Sequence, residues 1–421
     1  MHPKFGKSSW PLLPLSTIAE EVRELYEPVI GENFPYIGLG HIEQGSLALC
    51  GTGLSSETQS TKKVFRAGDI LFGTLRPYFR KVVRPKFDGV CSTDITVIRA
   101  KEKRDRDFLF YFIANHPFIQ YATSSSSGTR MPRAKWSHLS TIGWNIPTAE
   151  DRKKIAAILS AYDDLIENNL RRIKILEKMA QTLYREWFVK FRFPGHQKVK
   201  MVNSALGKIP EGWTSSTVGE ACQSLVDGDW IETKDQGGKD FRLLQVSNVG
   251  VGEFIETGNY RYITQDTFKK LNCTEVLPGQ ILISRMPKPT GRAWLVTEMP
   301  WRMITAVDVA ILSANKDALA PLLFVNILNS PEQLELVAKH STGTTRERIS
   351  RSALSKLPVM LPPLPLQEKF SAIAEPCYRQ ITFLQRKNNI LRQTRDLLLP
   401  KLISGELDVS ELDINIPEAK A

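Results

Sequence analysis

The sequence predicts an α+β protein built twice over. Two mixed globules each run into a long helix, and the two helices join as an antiparallel coiled coil that gives an internal pseudo-two-fold repeat. Three observations predict this. Short motifs recur between the two halves at a nearly fixed spacing. Each half ends in a stretch patterned in sevens, which suits paired helices. The stretches between are rich in β-branched runs and turn residues, which suits short strands.

The repeat is read directly. Gly68-Asp69-Ile70-Leu71 returns as Gly279-Gln280-Ile281-Leu282, and Ser92 to Ile98 as Ala306 to Leu312. Ser127-Gly128-Thr129-Arg130 returns as Thr342-Gly343-Thr344-Thr345-Arg346. From Gly128 onward the offset is a constant 215 residues, carrying Pro147 onto Pro362, Ile155 onto Phe370 and Leu183 onto Leu398. A period this long marks a duplicated domain rather than a solenoid, whose repeats run to about 20–50 residues.

The elements follow in chain order. Residues 1–146 form the first globule, with strands at Lys63-Val64-Phe65, Ile70-Leu71-Phe72 and Ile95–Ile98 and a buried helix over Asp107–Asn115. Residues 147–200 are the first helical segment. No Gly or Pro interrupts Thr148 to Arg192, and Pro194-Gly195 ends the run. Its seam is Ile155, Tyr162, Asn169, Leu176 and Leu183, widened by Leu159, Ile166, Ile173 and Trp187. Residues 201–361 form the second globule and 362–421 the second helical segment. The second seam is Phe370, Cys377, Leu384, Leu391 and Leu398, with a kink or broken turn expected at Pro376 and closure at Pro400 and Gly405. Sustained heptads favour a coiled coil over two amphipathic helices each packed on its own globule. In an antiparallel pair the globules sit at opposite ends of a rod, and Asn169, facing an apolar stripe, fixes the register at a cost in stability.

Composition narrows the function. Lys and Arg total 56 against 45 Asp and Glu, a net charge of +11, the footprint of a polyanion partner. No apolar run is long enough for a membrane span, and Met1–Pro14 lacks the apolar core of a secretory signal. The five cysteines are scattered and include no C-x-x-C, so neither a disulfide framework nor a zinc ribbon is expected, and a reducing cytoplasm fits. No G-x-G-x-x-G, no H-x-x-x-H and no Asn/Asp-Pro-Pro-aromatic segment occurs, and Gly6-Lys7-Ser8 lacks the upstream glycine of a P-loop. No catalytic, cofactor or metal site is therefore expected.

The basic clusters carry the functional expectation. Gly128, Thr129, Arg130, Arg133 and Lys135, with Thr344, Thr345, Arg346 and Arg348 in the repeat, combine small hydroxyl residues with forked donors, which suits phosphate contact. A second patch holds Arg76, Tyr78, Arg80 and Lys81, with Arg84 beyond, and its counterpart holds Arg285, Lys288 and Arg292. Arginine is the commonest reader of guanine edges, so these patches are where base contacts are expected.

Two stretches carry a resemblance to a known family. Ile-Pro-Thr-Ala-Glu-Asp-Arg-Lys-Lys-Ile-Ala-Ala-Ile-Leu heads Pro147–Phe193, and Leu361–Leu407 runs from Pro-Pro-Leu-Pro-Leu-Gln-Glu-Lys-Phe to Leu-Leu-Leu-Pro-Lys-Leu-Ile-Ser-Gly-Glu-Leu. With the Ser-Gly-Thr-Arg and Thr-Gly-Thr-Thr-Arg loops, they resemble the specificity (S) subunits, HsdS, of type I restriction–modification systems, over essentially the whole chain. One departure is Glu150-Asp151-Arg152 where the second helix keeps Gln367-Glu368-Lys369, a change expected to touch only a helix N-terminus. The resemblance implies two target recognition domains on double-stranded DNA, each reading half of a split target, with the helices setting the unread gap. It implies no catalysis and no bound cofactor in this chain. Modification subunits would dock on the helices and methylate adenine N6 with S-adenosylmethionine, and restriction subunits would use ATP with Mg. The competing readings are a DNA-acting enzyme with its own catalytic site and a scaffold with no DNA role.

Overall fold

The computed structural model describes residues 7, 9–29, 31–128, 130–204, 207–287, 289–343 and 347–414. They form two compact units, the first of residues 1–171 and 384–421 and the second of residues 172–383, so each long helix contributes to both. No helix among the described residues is long and apolar enough to cross a membrane.

The units repeat one topology. In the first, a four-stranded antiparallel sheet runs Ala19–Val22, Ile95–Ala100, Ile70–Gly73, Val82–Val83, with Val97 opposite Leu71 on one side and Val22 on the other. In the second the order is Cys222–Asp227, Val309–Ala314, Ile281–Ser284, Ala293–Leu295, with Leu282 opposite Ile311. Leu12–Pro14 pairs with Gly143–Asn145, and Thr214–Thr217 pairs likewise with Pro358–Leu361. The expected strands and the helix Arg106–Ala114 are present. Divergence lies in the second sheets, five-stranded in one unit and three-stranded in the other.

The first long helix runs Ala149–Tyr184. Thr148 caps it by accepting the Asp151 N–H at 3.2 Å, and Glu150 and Asp151 face the positive end of the helix dipole. It ends earlier than the pattern predicts. Arg185–Val189 is a π turn, with the Lys190 N–H donating to the Arg185 carbonyl at 2.8 Å. Such a turn shifts the register of the side chains. Both consecutive aromatics, Trp187 and Phe188, are buried here, against Phe370 at ring-centroid distances of 6.3 and 5.0 Å.

The second long helix, Leu364–Ser404, continues through both prolines, so the turn at Pro376 is not broken and the helix does not close at Pro400. Proline at 376 removes the donor to the Ala372 carbonyl, but Ala372 is exposed, which leaves that carbonyl open to solvent. Gly405, at φ +74°, closes the helix.

In the first unit the helices pack antiparallel. Ile155 and Leu159 share a core with Leu399, Leu402 and Ile403, while further along Asn169 donates to Asn388 at 2.8 Å. The same core contains Phe72, Phe108, Phe112 and Trp144, so the helices pack on each other and on the globule at once. In the second unit Trp187, Phe370 and Ala374 share a core with Phe324 and Leu354. The expected seam is one of two stripes. Ile155, Asn169, Phe370 and Leu384 are buried, whereas Tyr162, Leu176, Leu183, Cys377, Leu391 and Leu398 are half-buried. The deeper stripe is Leu159, Ile166, Ile173, Ala180 and Trp187 on one helix and Ala374, Ile381, Asn388, Arg395 and Leu402 on the other. Replacing Asn169 by Ala strands the buried Asn388 amide and is expected to cost about 1–3 kcal/mol. Replacing both by Leu should recover that loss, read from chemical-denaturation midpoints.

Candidate nucleic-acid interface

The described ends of the hydroxyl-rich loops are closed in the same way in both units. Ser127 and Arg133 exchange backbone hydrogen bonds at 3.2 and 3.0 Å, and Thr342 and Arg348 do so at 2.9 Å each. Gly128 and Gly343 sit at φ +101° and +108°, a region that disfavours any side chain. The loop is tied to two others. Ala134 and Ile349 donate to the carbonyls of Thr74 and Arg285 at 3.0 and 3.1 Å, and the N–H groups of Thr74 and Arg285 donate to Asp94 and Asp308, both at 2.9 Å. Arg133 and Arg348 close the arrangement as ion pairs to those same aspartates, both at 2.9 Å. Asp94 and Asp308 were not among the sequence candidates. Their signal was an aspartate repeating in step with a repeating arginine.

The structure sorts the basic candidates into two groups. Arg76, Tyr78, Arg130 and Lys135 are exposed, and the three cations have no carboxylate partner among the described residues. The turn Pro77–Phe79 between Arg76 and Arg80 is strained, for both arginines are left-handed, at φ +51° and +49°. Each such residue costs roughly 1–2 kcal/mol.

Arg133 and Arg348 are exposed but paired with Asp94 and Asp308, and Arg80, Lys81, Arg84, Arg285 and Arg292 face inward, contrary to expectation. Arg80 donates to the Ala114 carbonyl at 2.7 Å and lies 3.9 Å from Asp396, and burial lowers its guanidinium below the usual range while Asp396 opposes the shift. Arg84 pairs with Asp107 and lies 5.2 Å from the Phe110 ring centre. Lys81 donates to the Leu39 carbonyl in one three-residue turn. Arg292, its counterpart at the offset relating Gly68 to Gly279, donates to Val246 in the matching turn and to Val249, Met286 and Pro289, all within 2.9 Å. Arg80, Lys81 and Arg292 share one reason, that buried carbonyls need donors and a long basic side chain supplies them, whereas Arg84 is held by a carboxylate and a ring face. Thr129, Lys288, Thr344, Thr345 and Arg346 lie outside the described residues.

In the second unit a groove of about 760 Å³ opens beside the loop, lined by Asp227, Arg285, Arg348, Arg351 and the hydroxyls of Thr342 and Ser350. Arg285 is buried, donates to the Val307 carbonyl at 2.6 Å and pairs with Asp227 at 3.0 Å. Three guanidiniums against Asp227 and Asp308 leave the groove cationic.

Each globule is fastened to its helices by buried polar contacts at equivalent positions. Arg152 clamps Asp105 at 2.8 and 2.9 Å and donates to the Pro147 carbonyl at 2.8 Å. Gln367, 215 residues on, donates to Pro362 at 2.7 Å and Ala318 at 3.0 Å and accepts from Ala320 at 2.8 Å. The departure at the helix starts is thus a change of chemistry in one clamp. Tyr111 donates to Asp163 at 2.6 Å, and at the equivalent positions Tyr378 donates to Asn326 at 2.7 Å with the ring on the other partner. Burial, then the Asp163 charge, pushes the Tyr111 phenol well up, so it remains a donor. Arg395 adds ion pairs to Asp163 at 2.5 Å and Asp396 at 3.0 Å.

A duplicated α+β module presenting basic, hydroxyl-bearing loops from a helix-anchored sheet defines a two-part polyanion reader. Comparison with known proteins specifies it further. The model of the type I restriction modification DNA specificity domain matches residues 29–178 and 210–393, most of the chain, which therefore belongs to that family and is a DNA specificity subunit of a type I restriction–modification system. The chain is 26% identical over 309 residues to the MjaIX specificity subunit of Methanocaldococcus jannaschii, covering 73% of this chain and 70% of that one. It is 21% identical to the HindI specificity subunit of Haemophilus influenzae, over 95% of this chain and all of that one. The crystal structure of a type I restriction–modification S subunit from M. genitalium shares the fold at a TM-score of 0.56 and 16% identity, over 96% of this chain and 99% of that one.

The two groups of cations predict different phenotypes. Arg76→Ala is expected to leave the melting temperature unchanged and to lower the slope of log affinity for duplex DNA against log salt by about one. Arg80→Ala should instead lower the melting temperature, because it strips donors from buried carbonyls.

Proposed function

We propose that the chain reads a bipartite DNA target and does no chemistry itself. Recognition domains at 1–146 and 201–361 each read one half. The helical segments 147–200 and 362–421 set the unread spacer and dock modification subunits. Those partners bring S-adenosylmethionine for adenine N6 methylation, and restriction subunits bring ATP with Mg. The substrate and the free thiols suit the cytoplasm.

The observation that carries this reading is a shared loop scaffold with different reading residues. The loops hold the same hydrogen bonds in both units, yet Thr74 in one stands where Arg285 stands in the other, and the segment after it is Leu-Arg-Pro-Tyr-Phe in one and Met-Pro-Lys-Pro-Thr in the other. Two unlike faces on one frame suit two unlike half-sites.

The test is to co-express the chain with its modification subunits and map methylated adenines in the genome. Exchanging residues 75–79 for another sequence should alter one half-site and leave the other half and the spacer intact. Inserting one heptad into each helix should lengthen the spacer with both half-sites unchanged. Methyl transfer from S-adenosylmethionine by the purified chain alone would instead support an enzyme with its own site.

A further inference from the structure

We propose that the Arg76–Arg80 turn is a preformed wedge, with Tyr78 stacking on a base at one step of the half-site read by the first unit and unstacking that step. The inference rests on the DNA-reading assignment above and adds how one side chain engages the duplex.

Tyr78 is 49% exposed, in a turn that is otherwise fixed. On one side the Arg76 N–H donates to the Pro132 carbonyl at 2.8 Å. On the other the Arg80 N–H donates to Pro77 at 2.8 Å, while its side chain reaches the carbonyls of Ala114 and Gly45 at 2.7 and 3.3 Å. Pro77 is buried, the turn packs on the helix His116–Ser124, and Phe79 braces the Tyr78 ring edge-to-face at 4.7 Å. Two left-handed arginines flank this three-residue turn, a backbone that persists only where its surroundings impose it. The result is a large ring held out in solvent with little freedom to fold back.

The surroundings select the ligand. Arg76, Arg130 and Lys135 are exposed and have no carboxylate partner among the described residues, and Asp94 is already paired with Arg133. A rigid ring among cations suits a phosphate-flanked base. In a duplex, base faces are covered by their neighbours, so the ring reaches one only by opening a step. Steps of pyrimidine followed by purine open most readily, so this half-site should contain a TA or CA/TG step at the contact. The corresponding segment of the second unit, Met286–Arg292, has no aromatic residue, so the other half-site should remain stacked.

The test uses the complete complex with its modification subunits on its mapped target, with 2-aminopurine placed at single positions. The expected result is a fluorescence rise at one step of the first unit's half-site, distinct from the methylated adenine. Tyr78→Ala should abolish that rise and weaken binding by about ten-fold, whereas Tyr78→Phe keeps both. A rise unaffected by Tyr78→Ala, or none at any position of that half-site, overturns the wedge. If Arg76→Ala and Arg130→Ala weaken binding while no Tyr78-dependent rise is seen, the loop remains a DNA contact and the wedge alone fails. Unchanged affinity in both arginine variants removes the loop from the interface.

Discussion

Reading a base requires the reading atoms to be held to within about 0.5 Å, and loops alone do not achieve that. Here the holding begins at the joint between each globule and its helices. Arg152 on Asp105 and Tyr111 on Asp163 hold the first unit; Gln367 on Pro362, Ala318 and Ala320, and Tyr378 on Asn326 hold the second. All are largely withdrawn from water, where losing one partner leaves a polar group short of a hydrogen bond. The loops tie to the sheet through Asp94 and Asp308, and the sheet packs on the helices through Phe72 and Phe108 in one unit and Ile281 and Phe324 in the other. Orientation is passed from helix to globule to loop.

This order explains how the arginines are used. A basic chain invites the inference that its cations meet DNA, but several are occupied within the fold. Arg292 satisfies four backbone carbonyls, Lys81 holds the matching turn, and Arg84 is committed to Asp107. These groups shape the surface that the exposed cations, Arg76, Arg130 and Lys135, present. A guanidinium makes the same kind of bond to a phosphate as to a carbonyl, so residue type alone does not separate the two duties.

That is where the sequence stopped being legible. The duplication, the strands at Ile70 and Ile95 and the long helices were readable because periodicity and spacing are properties of the chain itself. The π turn at Arg185–Val189 was not, since it depends on Trp187 and Phe188 both finding room beside Phe370. Pro376 misled because packing along the rest of the long helix outweighs one lost hydrogen bond and one steric clash at an exposed turn. The seam was found one stripe from its deepest line, because the heptad gives a period while the globule on which each helix also rests decides the face. At the interface the repeated loops were visible, yet which arginine faced outward depended on carbonyls contributed from distant segments such as Ala114 and Gly45.

The clamps have one more consequence. Tyr111 and Asn326 occupy equivalent places in their globules, and Asp163 and Tyr378 occupy equivalent places on their helices, but the long and short members are reversed. A crossover that transplanted one globule onto the other's helix would set two phenol rings in the space of one, or leave a short amide and a short carboxylate facing across a gap. The two halves are keyed against each other, so reshuffling within the gene carries a mechanical penalty. Exchange with another chain that matches at these positions does not.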